Sequence, residues 1–192
     1  MLRERSFTWG ATDREVGATL PGDELLPAAD IVSTRAITID CSPEHIWPWL
    51  VQMGGHGRGG AYTYDWIENL LGMDMRSVDY VMPENQNPAV GDEIFGSPGQ
   101  SLRIEILDHE RALVVRSTDG TWVWAFVLAP VDASHTRLIS RNRFTTASQP
   151  LPSRIAWSAV VDPGSLVMER KMLRGIKERA ERLASERVAA PA

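Results

Sequence analysis

The chain of 192 residues contains one cysteine, Cys41, so no internal disulfide can form and a reducing cytoplasm is the expected location. Lysine is nearly absent: of the 20 basic residues only Lys171 and Lys177 are lysine, and 25 acidic residues leave a net charge of −5. That balance gives no general attraction to nucleic acid or to an anionic membrane. No apolar run reaches the length of a membrane span, and the opening MLRERSFTWGATDREV has no apolar stretch suited to a signal peptide. Metal-ligand spacing is missing as well, because Cys41, His45 and His56 lack a fourth ligand and a zinc-type pattern. No serine sits in G-x-S-x-G and no lysine follows a phosphate-binding glycine loop, so hydrolase elbows and phosphoryl transfer are set aside and no cofactor is expected.

What the chain does have is a conspicuous segment, WPWLVQMGGHGRGGAYTYDW at 47–66, with three tryptophans, two tyrosines and five glycines. Gly55, Gly57 and Gly60 spell the dinucleotide fingerprint G-x-G-x-x-G, which works only where a strand precedes it and a helix follows. Here a helix precedes it. Residues 33–40, STRAITID, read as a first strand, after which Ser42 as N-cap and Pro43 at the first helical position start a short helix kinked by Pro48. A second short helix is expected over 62–71, ended by Gly72. The glycines therefore read as a helix-to-helix connection, and the nucleotide match as coincidence.

From Val90 the pattern changes to short alternating strands with tight turns: VGDEIF, SLRIEILD, RALVVRS, TWVWAFVLA and TRLISRNRF. A further weak strand candidate lies at 78–82, and 145–161 is irregular. Asp162 and Pro163 announce a long final helix to about residue 187, with Leu166, Leu173, Ile176, Ala180 and Leu183 on one apolar stripe. Residues 1–32, with a capping box at Thr12 and Glu15, read as an arm packed on a single domain at 33–187, followed by a disordered tail at 188–192. The expected fold is α+β: a curved antiparallel sheet of six to seven strands wrapped around a long C-terminal helix, with two short helices after strand one.

This order is that of a helix-grip protein, and the wording supports it. GATDREV (10–16), LPGDELLP (20–27), TRAITIDCSPEHIWPWLVQMG (34–54), RGGAYTYDWIENLLG (58–72), PENQNPAVGDEI (83–94) and MERKMLRGIKERAE (168–181) together span nearly the whole chain. On these segments it resembles a bacterial branch of the START and pollen-allergen-like superfamily, also labelled SRPBCC or polyketide cyclase/dehydrase-like. The resemblance implies a cavity between sheet and final helix that holds a small hydrophobic or amphipathic, lipid- or polyketide-like molecule. Carriers, cyclases and proteins without an assigned role share the fold, so it does not choose among them.

The residues offer a short set of candidates. Trp122 and Trp124 share a strand face with Phe126 and Leu128, giving an apolar wall with two indole donors or plain core filling. Met168 and Met172 supply adaptable lining from the final helix, and Trp49 joins them from the first short helix. Arg58, among glycines, is placed to clamp a carboxylate or enolate at the mouth. Tyr62, Asp65 and Trp66, at i, i+3 and i+4 of the second helix, project together, and the alternative is that Asp65 pairs with Arg58 to hold the loop. Arg141 is a second inward cation or a solvated one. Asp65 and His56 are the acid/base candidates if a reaction is catalysed. Three readings result: binding of a small hydrophobic molecule, a cyclase or dehydratase using cavity acid/base groups, and a protein-interaction module.

Overall fold

The computed structural model describes residues 6–70, 72–97, 100–146 and 162–189. After a short N-terminal helix α1 (Asp13–Gly17) the order is β1 (Ile31–Ile39), α2 (Pro43–Val51), α3 (Asp65–Leu70), then β2 (Glu93–Ser97), β3 (Gln100–Asp108), β4 (Ala112–Ser117), β5 (Trp122–Pro130), β6 (Thr136–Phe144) and a long α4 (Asp162–Ala189). The strands form one antiparallel sheet in the order β1-β6-β5-β4-β3-β2. The chain therefore folds as the α+β helix grip. Residues 78–82 form no strand, so the sheet has six strands among the described residues. α4 runs two residues past its expected end, and residues 145–161, apart from Thr145 and Thr146, lie outside the described residues, as do 190–192. Among the described residues no helix is long and apolar enough to cross a membrane.

Alternation explains which side chains meet. Trp122, Trp124, Phe126 and Leu128 of β5 lie opposite Phe144, Asn142, Ser140 and Leu138 of β6, on the face turned toward α4. On that face α2 contributes Ile46, Trp49, Leu50 and Met53, and α4 contributes Met172, Leu173, Ile176 and Ala180, all buried in one core. Gly175 of α4 has no side chain because a Cβ there would stand 2.7 Å from the Tyr62 carbonyl oxygen, so the α2–α3 loop lies directly on α4. The sheet curls strongly, helped by register shifts at Glu93/Phe95 in β2 and Ile104/Ile106 in β3. The second shift also changes faces: Ile104 belongs to the inner core, whereas Ile106 lies on the outside against Val114, Val123 and Ala125.

The N-terminal arm closes that outer face. Leu25 and Leu26 pack on the outer cluster, and α1 carries the expected capping box of Thr12 with Glu15. Three outward arginines of β6 hold the arm. Arg137 bonds Glu15, Arg143 bonds Asp23 and the Leu26 carbonyl, and Arg141, only 3% exposed, gives five hydrogen bonds: to Thr34 Oγ1, Asp23 Oδ2 and the carbonyls of Glu15, Val16 and Ala18. Arg141 is thus not an inward cation. Its odd position on β6 shares the outer face with Arg137 and Arg143, opposite to Ser140 and Asn142. At the sheet edge the amide of Ala36 donates to the Trp9 carbonyl, so the arm also covers the free edge of β1.

Candidate ligand site

The glycine segment follows α2 and leads into α3, as expected of a helix-to-helix connection. Gly54 and Gly60 exchange two backbone hydrogen bonds, at 3.0 and 2.9 Å, and pinch the loop shut. Gly54 has φ +136°, and a Cβ on it would lie 1.8 Å from the Ile94 carbonyl oxygen, so the loop is pressed onto β2 at a point only glycine can occupy. The glycines serve this close approach rather than a phosphate. Between loop and sheet lies a cleft of about 410 Å³, lined among others by His56, Arg58, Asn85, Glu93 and Phe95.

Arg58 does not swing freely. Its Nε and Nη2 donate to the carbonyls of Met53 and Val51, which the end of α2 leaves without helical partners. Burial pushes its pKa down, the charge of Asp92 opposes that shift, and no ion pair with a carboxylate forms among the described residues. It stands fixed at the cleft, in no ion pair among the described residues. His56 is at the loop tip with φ +52° and an exposed ring whose Nδ1 is 3.5 Å from Asp74 Oδ2.

Tyr62, Asp65 and Trp66 do not share a face. The helix begins at Asp65, and Tyr62 lies before it with φ +58°, which breaks the helical spacing that would bring the three together. Tyr62 is buried, donates its hydroxyl to the Trp49 carbonyl at 2.9 Å and has the Arg179 guanidinium over its ring, while burial raises its phenol pKa. Trp49 is buried edge-on against it, with an indole N–H that has no partner among the described residues. Asp65 accepts from the amide and hydroxyl of Ser77 at 2.8 and 2.6 Å, so it pairs neither with Arg58 nor with the cleft. Trp66 is 66% exposed.

The inner face of β5 carries a continuous aromatic series. Phe95, Trp124, Trp122 and Phe144 follow one another at ring separations of 5.7, 5.5 and 5.2 Å. Phe95 is on β2, three strand spacings from β5, which in a flat sheet is roughly 14 Å. The curl alone brings the rings together. Phe95 also lines the cleft, so the series starts at its wall. Trp122 and Trp124 are half-buried, Met168 is half-buried and Met172 is buried. Both indoles lean one residue pair along the ladder: Trp122 Nε1 donates to Asn142 Oδ1 and Trp124 Nε1 to Ser140 Oγ, each at 2.8 Å.

No protein-family model matches the sequence, and no curated protein is significantly similar to it. Solved structures are similar in shape. The aromatase/cyclase Zhui from Streptomyces sp. R1128 aligns over 79% of this chain and 94% of its own, with 14% identity and a TM-score of 0.50. KanY aligns over 79% and 97%, with 8% identity and a TM-score of 0.51. The polyketide-cyclase-like protein Cgl2372 from Corynebacterium glutamicum covers 80% of this chain and 87% of its own at 17% identity, with a TM-score of 0.38. The chain shares its helix-grip fold with these solved structures. At these identities the likeness concerns the fold, and the chemistry of this helix-grip protein has to be read from its own residues.

Four residues of the grip's inner face escape a reading of motifs: Arg35, Ser140, Asn142 and Glu169. Arg35 on β1 and Glu169 on α4 form a buried ion pair, and Asn142 Nδ2 donates to Glu169 Oε2 at 3.3 Å. Burial raises the Glu169 carboxyl pKa, opposed by the charge of Arg35 and by Ser140. Their signal is in the sequence. Arg35 shares strand parity with Ile37 and Ile39, and Glu169 sits four and seven residues before Leu173 and Ile176, so opposite charges interrupt both apolar stripes. Among the described residues no group of His, Cys, Asp and Glu is arranged to hold a metal ion.

Proposed function

We propose that the protein binds a small amphipathic ligand, its anionic end in the cleft at Arg58 and its apolar body against Phe95, Trp124 and Trp122. The observation that carries this reading is the junction at the cleft. A fixed, half-buried guanidinium without a carboxylate partner stands across the same opening in which the aromatic series begins. Such a pairing suits an aromatic or fatty acid, and likeness in fold to the aromatase/cyclase Zhui points the same way. The single, buried Cys41 fits a reducing cytoplasm as the place of action.

The test is saturable quenching of tryptophan fluorescence by a panel of fatty acids, aromatic polyketide acids and sterols. Arg58→Gln keeps a donor for the α2 carbonyls but removes the charge, so it is expected to weaken acids by about tenfold or more while sparing neutral ligands. Trp124→Phe is expected to diminish the quenching. If no panel member quenches saturably, the aromatic series is core filling and the apolar mouth is better read as a protein-docking surface.

An enzyme of the cyclase or dehydratase kind is the second reading, favoured by one observation: His56, an imidazole beside Asp74, opens on the cleft. In that case His56→Gln lowers turnover about a hundredfold or more with ligand affinity unchanged. Equal turnover in the variant rejects it.

A further inference from the structure

Resting on the reading of an amphipathic ligand with its anionic end at Arg58, we infer that Glu93 takes a cationic amine of the same ligand, so that the cleft selects zwitterions: α-amino acids with an aromatic side chain.

Carboxylates crowd the one guanidinium of the cleft. Among the described residues Arg58 is the only arginine or lysine that lines it, while Glu93 borders the same opening, Asp74 Oδ2 stands 3.5 Å from Nδ1 of His56 on its wall, and the charge of Asp92 reaches Arg58. A ligand with a carboxylate alone is attracted by Arg58 and repelled by these neighbours, whereas a ligand that also carries an amine brings no net charge. Glu93 is the carboxylate left to such an amine. Asp92 Oδ2 accepts from the Ala89 amide at 2.8 Å, and Asp74 lies beside His56. The cross-strand neighbour of Glu93 is Arg103, but Arg103 gives Nε and Nη2 to Glu105 at 3.3 and 3.0 Å. Glu93 and Arg58 form no ion pair with each other or with a third residue among those described, so two opposite charges border one cleft and neither is neutralised.

Donors and acceptors match the same class. Arg58 spends Nε and Nη2 on the α2 carbonyls, which leaves Nη1 for a carboxylate. An ammonium has three donors and no acceptor. The cleft offers it the carboxylate of Glu93 and the side-chain oxygen of Asn85, whose amide nitrogen is turned to Met82 Sδ at 3.5 Å. Phe95, two residues after Glu93, opens the aromatic series at the same cleft, so the side chain of an aromatic amino acid meets an apolar wall beside both charges. A neutral hydroxyl in place of the ammonium would leave the charge of Glu93 uncompensated, and a second carboxylate would add to the repulsion.

Calorimetric titration of the full chain at neutral pH compares L-phenylalanine and L-tryptophan with their deaminated acids, 3-phenylpropanoate and 3-indolepropanoate, which keep the carboxylate and the ring and lose the amine. At least one amino acid is expected to bind about fivefold or more tightly than its deaminated acid. Glu93→Gln keeps the size of an exposed side chain and removes its charge. In that variant the amino acids are expected to lose their advantage, while the deaminated acids bind as tightly as before or more tightly, because Glu93 only repels them. A variant with a damaged cleft would weaken both kinds of probe, so the opposed responses separate lost charge from lost structure. A wild-type protein that binds the deaminated acids as tightly as the amino acids overturns the inference and leaves the ligand reading standing. A preference that survives Glu93→Gln overturns it too. Failure of every probe to bind refutes the ligand reading itself, and the inference with it.

Discussion

Arg141→Met tests how the arm is held. The side chain is 3% exposed and its guanidinium spans from Thr34 on β1 to Asp23 and three carbonyls of the arm. Summing five bonds at about 1.5–3 kcal/mol each would reach the total stability of an ordinary domain, so the bonds are not additive. Two features limit the loss. Asp23 keeps Arg143 at 3.3 Å, and carbonyls released with the arm rehydrate in solvent. What remains is the cost of breaking one buried ion pair, about 3–5 kcal/mol, or a melting point lower by roughly 10 °C for a chain of this size. The assays are urea denaturation and limited trypsin digestion, read at Arg14 in α1, which is expected to be cleaved faster in the variant because Arg141 holds the carbonyls of Glu15 and Val16. Arg103→Met, which breaks only the exposed pair of Arg103 and Glu105, is the control and is expected to change stability by less than about 0.5 kcal/mol. If Arg141→Met costs less than about 1 kcal/mol and leaves cleavage at Arg14 unchanged, the arm is held by Leu25 and Leu26 and the arginines are incidental.

Burial, with the charge of Glu181 adding to it, pushes the Cys41 thiol up to about 12. At about pH 8 the native protein is expected to label with a thiol reagent at least a hundredfold more slowly than the unfolded chain, and equal rates would contradict its burial. Burial also raises the Glu68 carboxyl, with the charge of Asp65 adding to it. The folded chain then holds that proton more tightly than the unfolded one, so the stability it contributes is full below the unfolded pKa and is lost as pH rises through the folded value. Glu68→Gln is expected to flatten the decline in stability from the ordinary carboxylate range toward neutrality, and parallel denaturation curves for the two proteins would refute the assignment.

Hydrophobic pattern and punctuation were enough for the frame. Period-two alternation in the five strands from residue 93 to 144, proline and serine at the start of α2, and a seven-three-four-three apolar stripe on α4 each specify an element locally, because backbone sterics and side-chain periodicity act over a few residues. The same local logic explains why the glycines were legible as a connection and the indoles as one wall. It also explains where reading failed. The face of Arg141 depended on strand parity relative to a partner, which the pairing of β5 with β6 settles and a single strand does not. Tyr62 stands outside the helix with a positive φ, its carbonyl against Gly175 of α4, more than a hundred residues away in sequence.

What the sequence determined alone is the order of elements and which faces are apolar, since each residue's preference for water or core is its own. What only the tertiary structure decided is which polar groups meet. Arg35 and Glu169 are separated by 134 positions, and Phe95 reaches Trp124 only because the sheet curls through three strand spacings. Pairing energies fall off within a few ångströms, so a charge on an apolar stripe acquires meaning only when another element delivers its partner.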